Sequence, residues 1–496
     1  MTDGEQPGAE AHPSAWCFVR ATRAHVVVDA QAYFELIREA MQNARQRIFL
    51  IGWDFDTRIR LAGGRRWWNL ARKGRFPARL GAFVVWLVRQ SPGLQVKLLK
   101  WNFGALRFLF RGSMILDLIR WFANRSIEFK FDSAHPIGCS HHEKLVVIDD
   151  RLAVCGGIDL TSQRWDTRAH LDDDPRRCGP TGKPFPPWHD VTMLMEGDAA
   201  LQLAELGQQR WRRAGGRPFA PCAPQEESPW PARLSAEFHD VEIGIARTRA
   251  QYDGIAGIFE VEALFIEQIT RARRFVYAET QYFASRRIAE AVAHRLAEPD
   301  PPEFVIVTPL AADGWLEQAV MDTARSRLVR AMQAVDHAGR FHIYVPFTAG
   351  GTSIYVHAKV MIVDDEIVRV GSANMNNRSM GADSECDVFI DAARPGNTHV
   401  KGAITRLHHS LLAEHCGIEP REVEEMLARH GSMAKMIEAL PGTGKRLKPL
   451  ALRELSDTEK ALADSALLDP ERPDEMFEPI ARRGLFRRGG LLRRPR

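Results

Sequence analysis

Two short stretches carry the same three chemically active residue types at the same spacing. Residues 141–149 read HHEKLVVID and residues 357–364 read HAKVMIVD, so the pattern His-x-Lys-x-x-x-x-Asp occurs twice. A single copy arises by chance on the order of a few hundredths of a time in such a chain, so two copies indicate a duplicated functional element. The candidate catalytic residues that they supply are His142, Lys144, Asp149, His357, Lys359 and Asp364.

The spacing within each motif suits a strand that begins at a reaction site. The His and Lys are two residues apart, so on a strand their side chains point to the same face, and the aliphatic run that follows buries the rest of the strand. Two copies brought together would supply two imidazoles and two ammonium groups to one pocket. This set of groups suits phosphoryl transfer from a phosphodiester without a metal. The lysines hold the non-bridging oxygens, one histidine attacks phosphorus, and the other protonates the leaving alcohol. The residues alone do not decide which histidine attacks.

Each histidine also needs a carboxylate that fixes its tautomer. In the second half this residue is Glu385, which follows His357 in the segment GADSECDV. Its counterpart in the first half is Asp190 of WHDV, displaced along the chain by the insertion at 170–187. We therefore expect one supporting carboxylate from each half.

Further supporting residues lie in and after the motifs. A Gly-containing turn follows each motif at the same spacing, GGID at 156–159 and GSAN at 371–374. These turns are expected to face the pocket, and their small residues would let the backbone approach a phosphate closely. The motif aspartates are expected to tie down neighbouring turns rather than to touch substrate. The turn residues predicted to support phosphate binding are Gly157, Asp159, Ser372 and Asn374.

The elements that must position these residues recur in the same order in both halves. NARQRIFLIGWDF at 43–55 parallels TRARRFVYAETQYF at 270–283, and each indicates the end of an amphipathic helix followed by a buried strand. Strand candidates such as KLVVID and KVMIVD are continuously apolar, which is typical of strands covered on both faces. The sequence therefore predicts an α/β fold of two tandem α/β/α sandwich domains, related by internal duplication, that form a pseudo-two-fold dimer within one chain.

The predicted domain boundaries follow from this repeat and from a Pro-rich stretch between its halves. They are a polar N-terminal segment at 1–19, a first domain at 20–214, a linker at 215–233, a second domain at 234–417, and a helical extension with a basic tail at 418–496.

The composition is that of an ordinary globular protein. Of the 496 residues 45% are hydrophobic and 26% charged, and the formal net charge is +4. So small a charge gives little support to a nucleic-acid partner. The seven cysteines are scattered without C-x-x-C spacing, which argues against a disulfide framework or a zinc site and favours a reducing compartment. No metal or cofactor is therefore expected.

The chain shows neither a membrane span nor a Sec-type signal peptide. The N-terminal MTDGEQPGAEAHPSAW is polar, and the longest apolar run, at 80–88, is far shorter than the about 20 residues that cross a bilayer. We expect a cytoplasmic protein or one peripheral to the membrane, with export by a route that needs no signal peptide left open.

The paired motifs resemble the phospholipase D superfamily. The segments that carry the resemblance are HHEKLVVID, GGIDLTSQRWD and WHDV in the first half, and YAETQYF, VHAKVMIVD and GSANMNNRSMGADSE in the second. The resemblance covers roughly residues 20–416. It implies a metal-independent enzyme that works through a phosphohistidine, with His142 as nucleophile and His357 as general acid and base.

Within that superfamily the resemblance implies a phospholipase D that hydrolyses the distal phosphodiester of glycerophospholipids to phosphatidic acid and free headgroup, with or without transfer to an alcohol. A cardiolipin synthase-like phosphatidyltransferase and a nuclease of the same superfamily are the alternatives. A catalytically inactive membrane-binding module is disfavoured because both His-Lys pairs are intact. We expect a phospholipid substrate at a membrane surface, no nucleic-acid partner and a monomer.

Two stretches bear on the membrane. Residues 65–90 and 101–122 interleave Arg with Trp, Phe and Leu, a mixture that suits a bilayer surface. Amphipathic helices packed on a sheet would show the same pattern, so both interpretations stay open. The basic tail at 481–496 could add attraction to anionic lipid or could be an ordinary surface tail.

Overall fold

A computed structural model describes residues 12–61, 76–102, 112, 114–311 and 315–452, with the backbone alone for 315–320. The stretches at 65–90 and 101–122 that were considered for membrane contact therefore lie partly outside the described residues. The basic tail at 481–496 lies wholly outside them.

The first half begins with alternating strands and helices and continues with a run of strands before its last helix. In chain order they are β1 (Cys17–Val28), α1 (Ala30–Asn43), β2 (Arg47–Gly52), α2 (Leu80–Gln90), β3 (Gln95–Trp101), α3 (Met114–Phe122), β4 (Ile127–Asp132), β5 (Leu145–Ile148), β6 (Leu152–Gly156), β7 (Trp188–His189), β8 (Val191–Gly197) and α4 (Asp198–Arg213).

The second half follows the main order of these elements, differs in its two-residue strands and in one additional short helix, and adds three elements at its end. They are β9 (Phe238–Arg249), β10 (Ile258–Phe259), α5 (Glu260–Arg271), β11 (Phe275–Glu279), α6 (Arg286–Leu296), β12 (Glu303–Val307), α7 (Trp315–Val335), β13 (Phe341–Phe347), β14 (Tyr355–Val356), β15 (Val360–Val363), β16 (Ile367–Gly371), α8 (Asn377–Gly381), β17 (Glu385–Asp391), α9 (Lys401–Cys416), α10 (Pro420–His430), α11 (Met433–Ala439) and β18 (Arg446–Pro449).

Among the described residues, 16 strands form one mixed sheet that runs through both halves. Its order is β18-β13-β12-β11-β15-β16-β17-β9-β1-β8-β6-β5-β2-β3-β4, with β10 paired to β9. Read outward from the central β9–β1 pair, the two halves show the same succession of equivalent strands. The central pair is antiparallel, with Cys17 opposite Ile245. The predicted duplicated α/β fold is confirmed, and the two halves share a single sheet.

Helices cover both faces of this sheet, which explains the continuously apolar strands. In β2, Ile48 and Leu50 pack toward the layer of α1, α2 and α3. The alternate residues Phe49 and Ile51 pack toward the layer that contains α4 and, in the second half, α9 to α11. Successive strand residues point to opposite faces, so a strand covered on both sides must be apolar throughout.

The predicted domain boundaries stay a proposal, because the sheet continues across them. β1 begins at Cys17, inside the segment at 1–19 that was expected to be a polar extension. β18, which the sequence did not suggest, pairs antiparallel with β13 at the edge of the sheet. Among the described residues, no helix combines the length and apolar character that crossing a bilayer requires.

The motif aspartates lie at the ends of β5 and β15 that are remote from the histidines. The Asp149 carboxylate accepts hydrogen bonds from the backbone N–H groups of residues 45, 46 and 47 at 2.7, 2.8 and 2.7 Å. Asp364 accepts from the N–H groups of residues 273, 274 and 275 at 2.7, 2.8 and 2.8 Å. Each aspartate therefore anchors the turn from a helix into β2 or β11, in keeping with the structural role expected for it.

We expect Asp149→Ala to lower the free energy of unfolding by about 2–4 kcal/mol, because three backbone N–H groups lose a charged acceptor at once. Asp364→Ala should behave in the same way. Thermal and urea unfolding measure the effect. The control is Asp240→Ala, which removes an ion pair with Arg20 whose side chains are 63% and 67% exposed, and should cost about 1 kcal/mol at most. An unfolding midpoint unchanged by Asp149→Ala would contradict the assignment.

Candidate active site

Each motif histidine is tied to the opposite half of the chain through its backbone. The His142 N–H donates to the carbonyl of Ser384 at 2.9 Å, and the His357 N–H donates to the carbonyl of His189 at 2.8 Å. Ser384 directly precedes Glu385, and His189 directly precedes Asp190. The backbone of each half therefore places its supporting carboxylate beside the histidine of the other half.

The side chains follow the same exchange. Nδ1 of His142 lies 3.1 and 3.0 Å from the two carboxylate oxygens of Glu385. Nδ1 of His357 lies 2.7 Å from Oδ2 of Asp190. The sequence interpretation grouped each carboxylate with the histidine of its own half, and this grouping is wrong. The site forms between the halves, so each carboxylate-bearing strand faces the histidine across the seam.

Both histidines are largely buried, with side chains 16% exposed for His142 and 7% for His357. Burial, followed by the positive charges of Lys144 and Lys359, holds the pKa of His142 well below its usual range. Burial, followed by Lys359 and Arg164, does the same for the pKa of His357. Both rings are therefore neutral near pH 7. Where the facing carboxyl group is ionised, Nδ1–H donates to it and the lone pair of Nε2 is available to react.

The motif lysines are held beside the histidines but in different electrostatic surroundings. The ammonium of Lys144 donates to the carbonyl of His142 at 2.8 Å and lies 3.3 Å from Oδ2 of Asp159. The ammonium of Lys359 donates to the carbonyl of His357. Burial lowers the pKa of Lys359, against the opposing charge of Asp190. The two lysines thus lie in one buried site, and one of them has a fixed carboxylate partner.

Asn374 occupies the position in the second half that Asp159 occupies in the first. Its side-chain oxygen is buried and makes no hydrogen bond, and its backbone N–H donates to the hydroxyl of Ser379 at 3.1 Å. Since an amide carries no charge, the two halves of the site are not electrostatically equivalent.

Glu385 sits among hydroxyl groups. Oγ of Ser372 donates to it at 2.5 Å and Oγ of Ser379 at 2.7 Å. Burial nevertheless raises the pKa of Glu385 to about 8, since these bonds offset only part of the lost hydration. Burial also raises the pKa of Asp190, opposed by Lys359 and the Val191 N–H. Ser372, expected to let backbone approach a phosphate, instead positions a carboxylate.

Gly157 also supports a carboxylate. A Cβ atom at this position would lie 2.0 Å from Oδ1 of Asp190 and 3.2 Å from the carbonyl oxygen of His357. The glycine is therefore required by the close approach of the Asp190–His357 pair.

An arginine and two aromatic residues at the site were not predicted from the sequence. The short strands β7 and β14 pair in parallel and bring together one residue from each half. Trp188 stacks on Tyr355 with ring centroids 4.5 Å apart, and the guanidinium of Arg164 lies 4.2 Å from the centre of the Trp188 ring. Arg164 lies within the segment GGIDLTSQRWD, so its position in this segment could have identified it as a candidate site residue from the sequence.

The comparisons with known proteins agree with this geometry. A family model described as Phospholipase D matches residues 336–441, which contain the whole second motif. Phospholipase D alpha 1 of Carica papaya is 24% identical over 535 residues that cover 79% of this chain and 65% of that protein. Phospholipase D alpha 1 of Nicotiana tabacum is 24% identical, with 81% and 66% covered. These matches confirm the resemblance to the phospholipase D superfamily that the paired motifs indicated.

The chain spans 65% and 66% of the length of these two curated relatives. Among solved structures, the phosphatidylserine synthase of Haemophilus influenzae Rd KW20 is similar, with a TM-score of 0.52 and 11% identity. The match covers 85% of this chain and 96% of that protein. This likeness extends the shared fold over both halves.

Proposed function

We propose that this member of the phospholipase D superfamily is a phospholipase D that hydrolyses the distal phosphodiester of glycerophospholipids to phosphatidic acid and free headgroup. The observation that carries the proposal is the symmetric pair of buried, neutral imidazoles, each backed by a carboxylate from the other half. Two buried lysines flank them. Since one chain supplies both motifs, a single copy suffices for the reaction.

The first step forms a phosphohistidine. Nε2 of His142, the more exposed of the two imidazoles, attacks phosphorus as the bond from phosphorus to the headgroup oxygen breaks. The bound phosphodiester anion favours an imidazolium at His357, which takes up a proton and delivers it to the departing alcohol. Asp190 holds this ring in position through Nδ1.

The second step regenerates the enzyme. Neutral His357 accepts a proton from water, the water oxygen attacks phosphorus, and the bond between phosphorus and His142 breaks. A primary alcohol in place of water would give a phosphatidyl alcohol by the same step. One water molecule is consumed and no cofactor takes part.

Three cations are available for the non-bridging oxygens. Lys144 and Lys359 each use one N–H on a backbone carbonyl, which leaves further donors for a phosphate. Arg164 contributes to the field at His357. Their positive charge is worth most in a buried site, where the dielectric constant is low.

Gly157→Ala is expected to lower kcat/KM by about 100-fold, because a Cβ 2.0 Å from Asp190 must displace the carboxylate that orients His357. The control is Gly442→Ala, at an exposed position where a Cβ would meet nothing within 4 Å, and it should leave the rate unchanged. A Gly157→Ala enzyme with the normal rate would show that Asp190 does not need its observed position.

An exposed apolar face on α3 supports a lipid substrate. Leu116, Ile119 and Phe122 are 58%, 58% and 65% exposed, while Met114 and Trp121 of the same helix are buried. Ile51 at the end of β2 lies opposite Leu145 at the start of β5, and the parallel strand β3 ends on that same edge. Since α3 follows β3, its apolar face extends from the side of the molecule that carries His142. Such a face suits a bilayer surface.

We expect Leu116→Glu combined with Ile119→Glu to weaken binding to phospholipid vesicles by about tenfold or more, because two apolar side chains no longer enter the bilayer. Co-sedimentation with vesicles measures the change. Leu201→Glu is the matched control, since Leu201 is 50% exposed on α4, in the opposite helical layer. An equal loss of binding in this control would argue against α3 as the contact surface.

The function is tested by incubating the full chain with vesicles of phosphatidylcholine, phosphatidylethanolamine or phosphatidylglycerol in EDTA with a primary alcohol. The expected products are phosphatidic acid and the phosphatidyl alcohol. Cleavage of a soluble bis-aryl phosphodiester with no product from any vesicle would overturn the lipid substrate while retaining the phosphodiesterase chemistry. Cleavage of neither substrate would overturn the proposed function altogether.

A further inference from the structure

A second group of buried histidines and carboxylates lies behind the candidate active site and has no part in the chemistry above. His189 belongs to it and directly precedes Asp190, the carboxylate of the active site. Each member of this group, the acid–histidine cluster, is buried. Its members are Asp29, Asp166, His170, His189, Glu279, Glu414 and His415.

Four side chains of the cluster converge on one point. Oε1 of Glu414 lies 2.9 Å from Nε2 of His170 and 2.9 Å from Nδ1 of His189. The Asp29 carboxylate faces the same two nitrogens, with Oδ2 3.4 Å from His170 and Oδ1 3.2 Å from His189. Tetrahedral ligands at the zinc–nitrogen and zinc–oxygen distances lie about 3.3 Å from one another. The observed separations of 2.9–3.4 Å match that spacing.

The outer nitrogen of each histidine is already occupied. Nδ1 of His170 lies 3.0 Å from Asp166, and Nε2 of His189 lies 2.8 Å from Glu279. An imidazole that binds a metal is neutral, and donation outward to these carboxylates would direct the lone pair of each ring inward, toward the space between Asp29 and Glu414. Metal-binding histidines are held by carboxylates in this way, which fixes the tautomer and raises the basicity of the coordinating nitrogen.

The carboxylates of the cluster outnumber the arginines that form ion pairs with them. The four carboxylates are paired with two guanidinium groups, since Arg168 lies 2.5 Å from Glu414 and Arg177 lies 3.2 Å from Asp166. Oδ2 of Asp29 is buried and makes no hydrogen bond. A carboxylate oxygen at this depth without a hydrogen bond is costly unless a cation meets it closely.

We propose that Asp29, His170, His189 and Glu414 bind one divalent transition-metal cation of the zinc class. Imidazole and carboxylate ligands suit this class. The sequence interpretation expected no metal because it considered the spacing of cysteines, whereas this site uses none. The cation would play a structural part, joining three residues of the first half to Glu414 on α9 of the second half. It would thereby hold the strand that carries Asp190.

The test uses the full chain and does not depend on the proposed function, because the readout is metal content. Protein produced with zinc and dialysed extensively is expected to retain one zinc per chain by elemental mass spectrometry. Removal with a strong chelator should lower the melting temperature, and zinc should restore it. Cobalt in place of zinc should give the visible absorption of a tetrahedral site.

Two variants test the ligands. Asp166→Asn removes the charge that supports His170 and pairs with Arg177, and it is expected to weaken zinc binding by about 10–100-fold. His170→Gln should abolish zinc binding. The control is His408→Gln, which alters another buried histidine, paired with Asp365 at 2.9 Å, and should retain one zinc. A wild-type chain that holds no zinc and gains no thermal stability from it would overturn the proposal, since the histidines would then carry protons instead.

Discussion

Replacing His142 by asparagine is expected to lower kcat/KM for phospholipid hydrolysis by about 10⁴-fold or more, because the covalent step loses its nucleophile. Hydrolysis of phosphatidylcholine vesicles, followed as release of free headgroup, measures the loss. The neighbouring His141 is the matched control. Its Nδ1 lies 2.7 Å from the hydroxyl of Ser384 and its Nε2 lies 3.1 Å from Asp132, so both nitrogens are occupied. His141→Gln should therefore cost stability and leave the rate per folded molecule within about tenfold of wild type. Comparable losses in both variants would argue that neither histidine is the nucleophile.

The two motif histidines can be told apart with a phosphodiester whose leaving group needs no proton, such as a nitrophenol. The His357→Ala enzyme should then still form the covalent bond and release one equivalent of nitrophenol in a burst, because only the later hydrolysis requires the base. The His142→Asn enzyme should show neither a burst of nitrophenol nor a covalently modified protein. The reverse result would exchange the two roles.

The second large effect is expected at Glu385, the carboxylate that the second half provides to the histidine of the first half. Below the raised pKa of Glu385, about 8, this residue is protonated and donates to Nδ1 of His142, which leaves the proton of the ring on Nε2 and blocks attack. We therefore expect kcat/KM to fall as the pH falls through about 8. Glu385→Gln should lower kcat/KM by about 10²–10⁴-fold, because an amide can stabilise the same unreactive tautomer, and should remove this pH dependence. A pH–rate profile of each enzyme measures both effects.

Asp190→Asn is the matched control for this experiment, since Asp190 contacts His357. Asp190→Asn should also be slow, but its kcat/KM should still fall as the pH falls through about 8. If Asp190→Asn abolished this pH dependence and Glu385→Gln retained it, the pairing of each carboxylate with the histidine of the other half would be contradicted.

The same carboxyl group makes stability depend on pH. Because the folded state raises the pKa of Glu385 from its ordinary value of 4.5 to about 8, the unfolded chain ionises first. The contribution of this group is therefore fully present below pH 4.5 and is lost as the pH rises to about 8. The melting temperature should therefore fall between pH 4.5 and about 8, and Glu385→Gln should make this fall smaller.

The residues proposed to do the chemistry could be found in the sequence because their signal is local. A histidine and a lysine two positions apart, followed by an aliphatic run, specify a buried strand and its reactive end through neighbouring residues alone. The turn-anchoring role of Asp149 was accessible for the same reason, since the aspartate sits at a fixed distance beyond the strand. The duplicated order of elements also predicted the α/β architecture.

The partners across the site depended on tertiary structure. Glu385 is closer in sequence to His357 than to His142, and chain order therefore suggested the wrong pair. The correct one spans 243 residues. It arises only when β1 and β9 join the halves into one sheet and direct each carboxylate across the seam. Gly157 shows the same dependence, because the atom that its missing side chain would meet belongs to a residue brought close by folding.

The sequence by itself thus determined which groups are candidates for the reaction and the kind of strand that carries each motif. The tertiary structure alone decided which groups face one another: His142 with Glu385, and Glu414 with His170 and His189. The physical reason is that reactivity and strand pattern are properties of adjacent residues, whereas hydrogen bonds and charges act through space between segments that chain order leaves far apart.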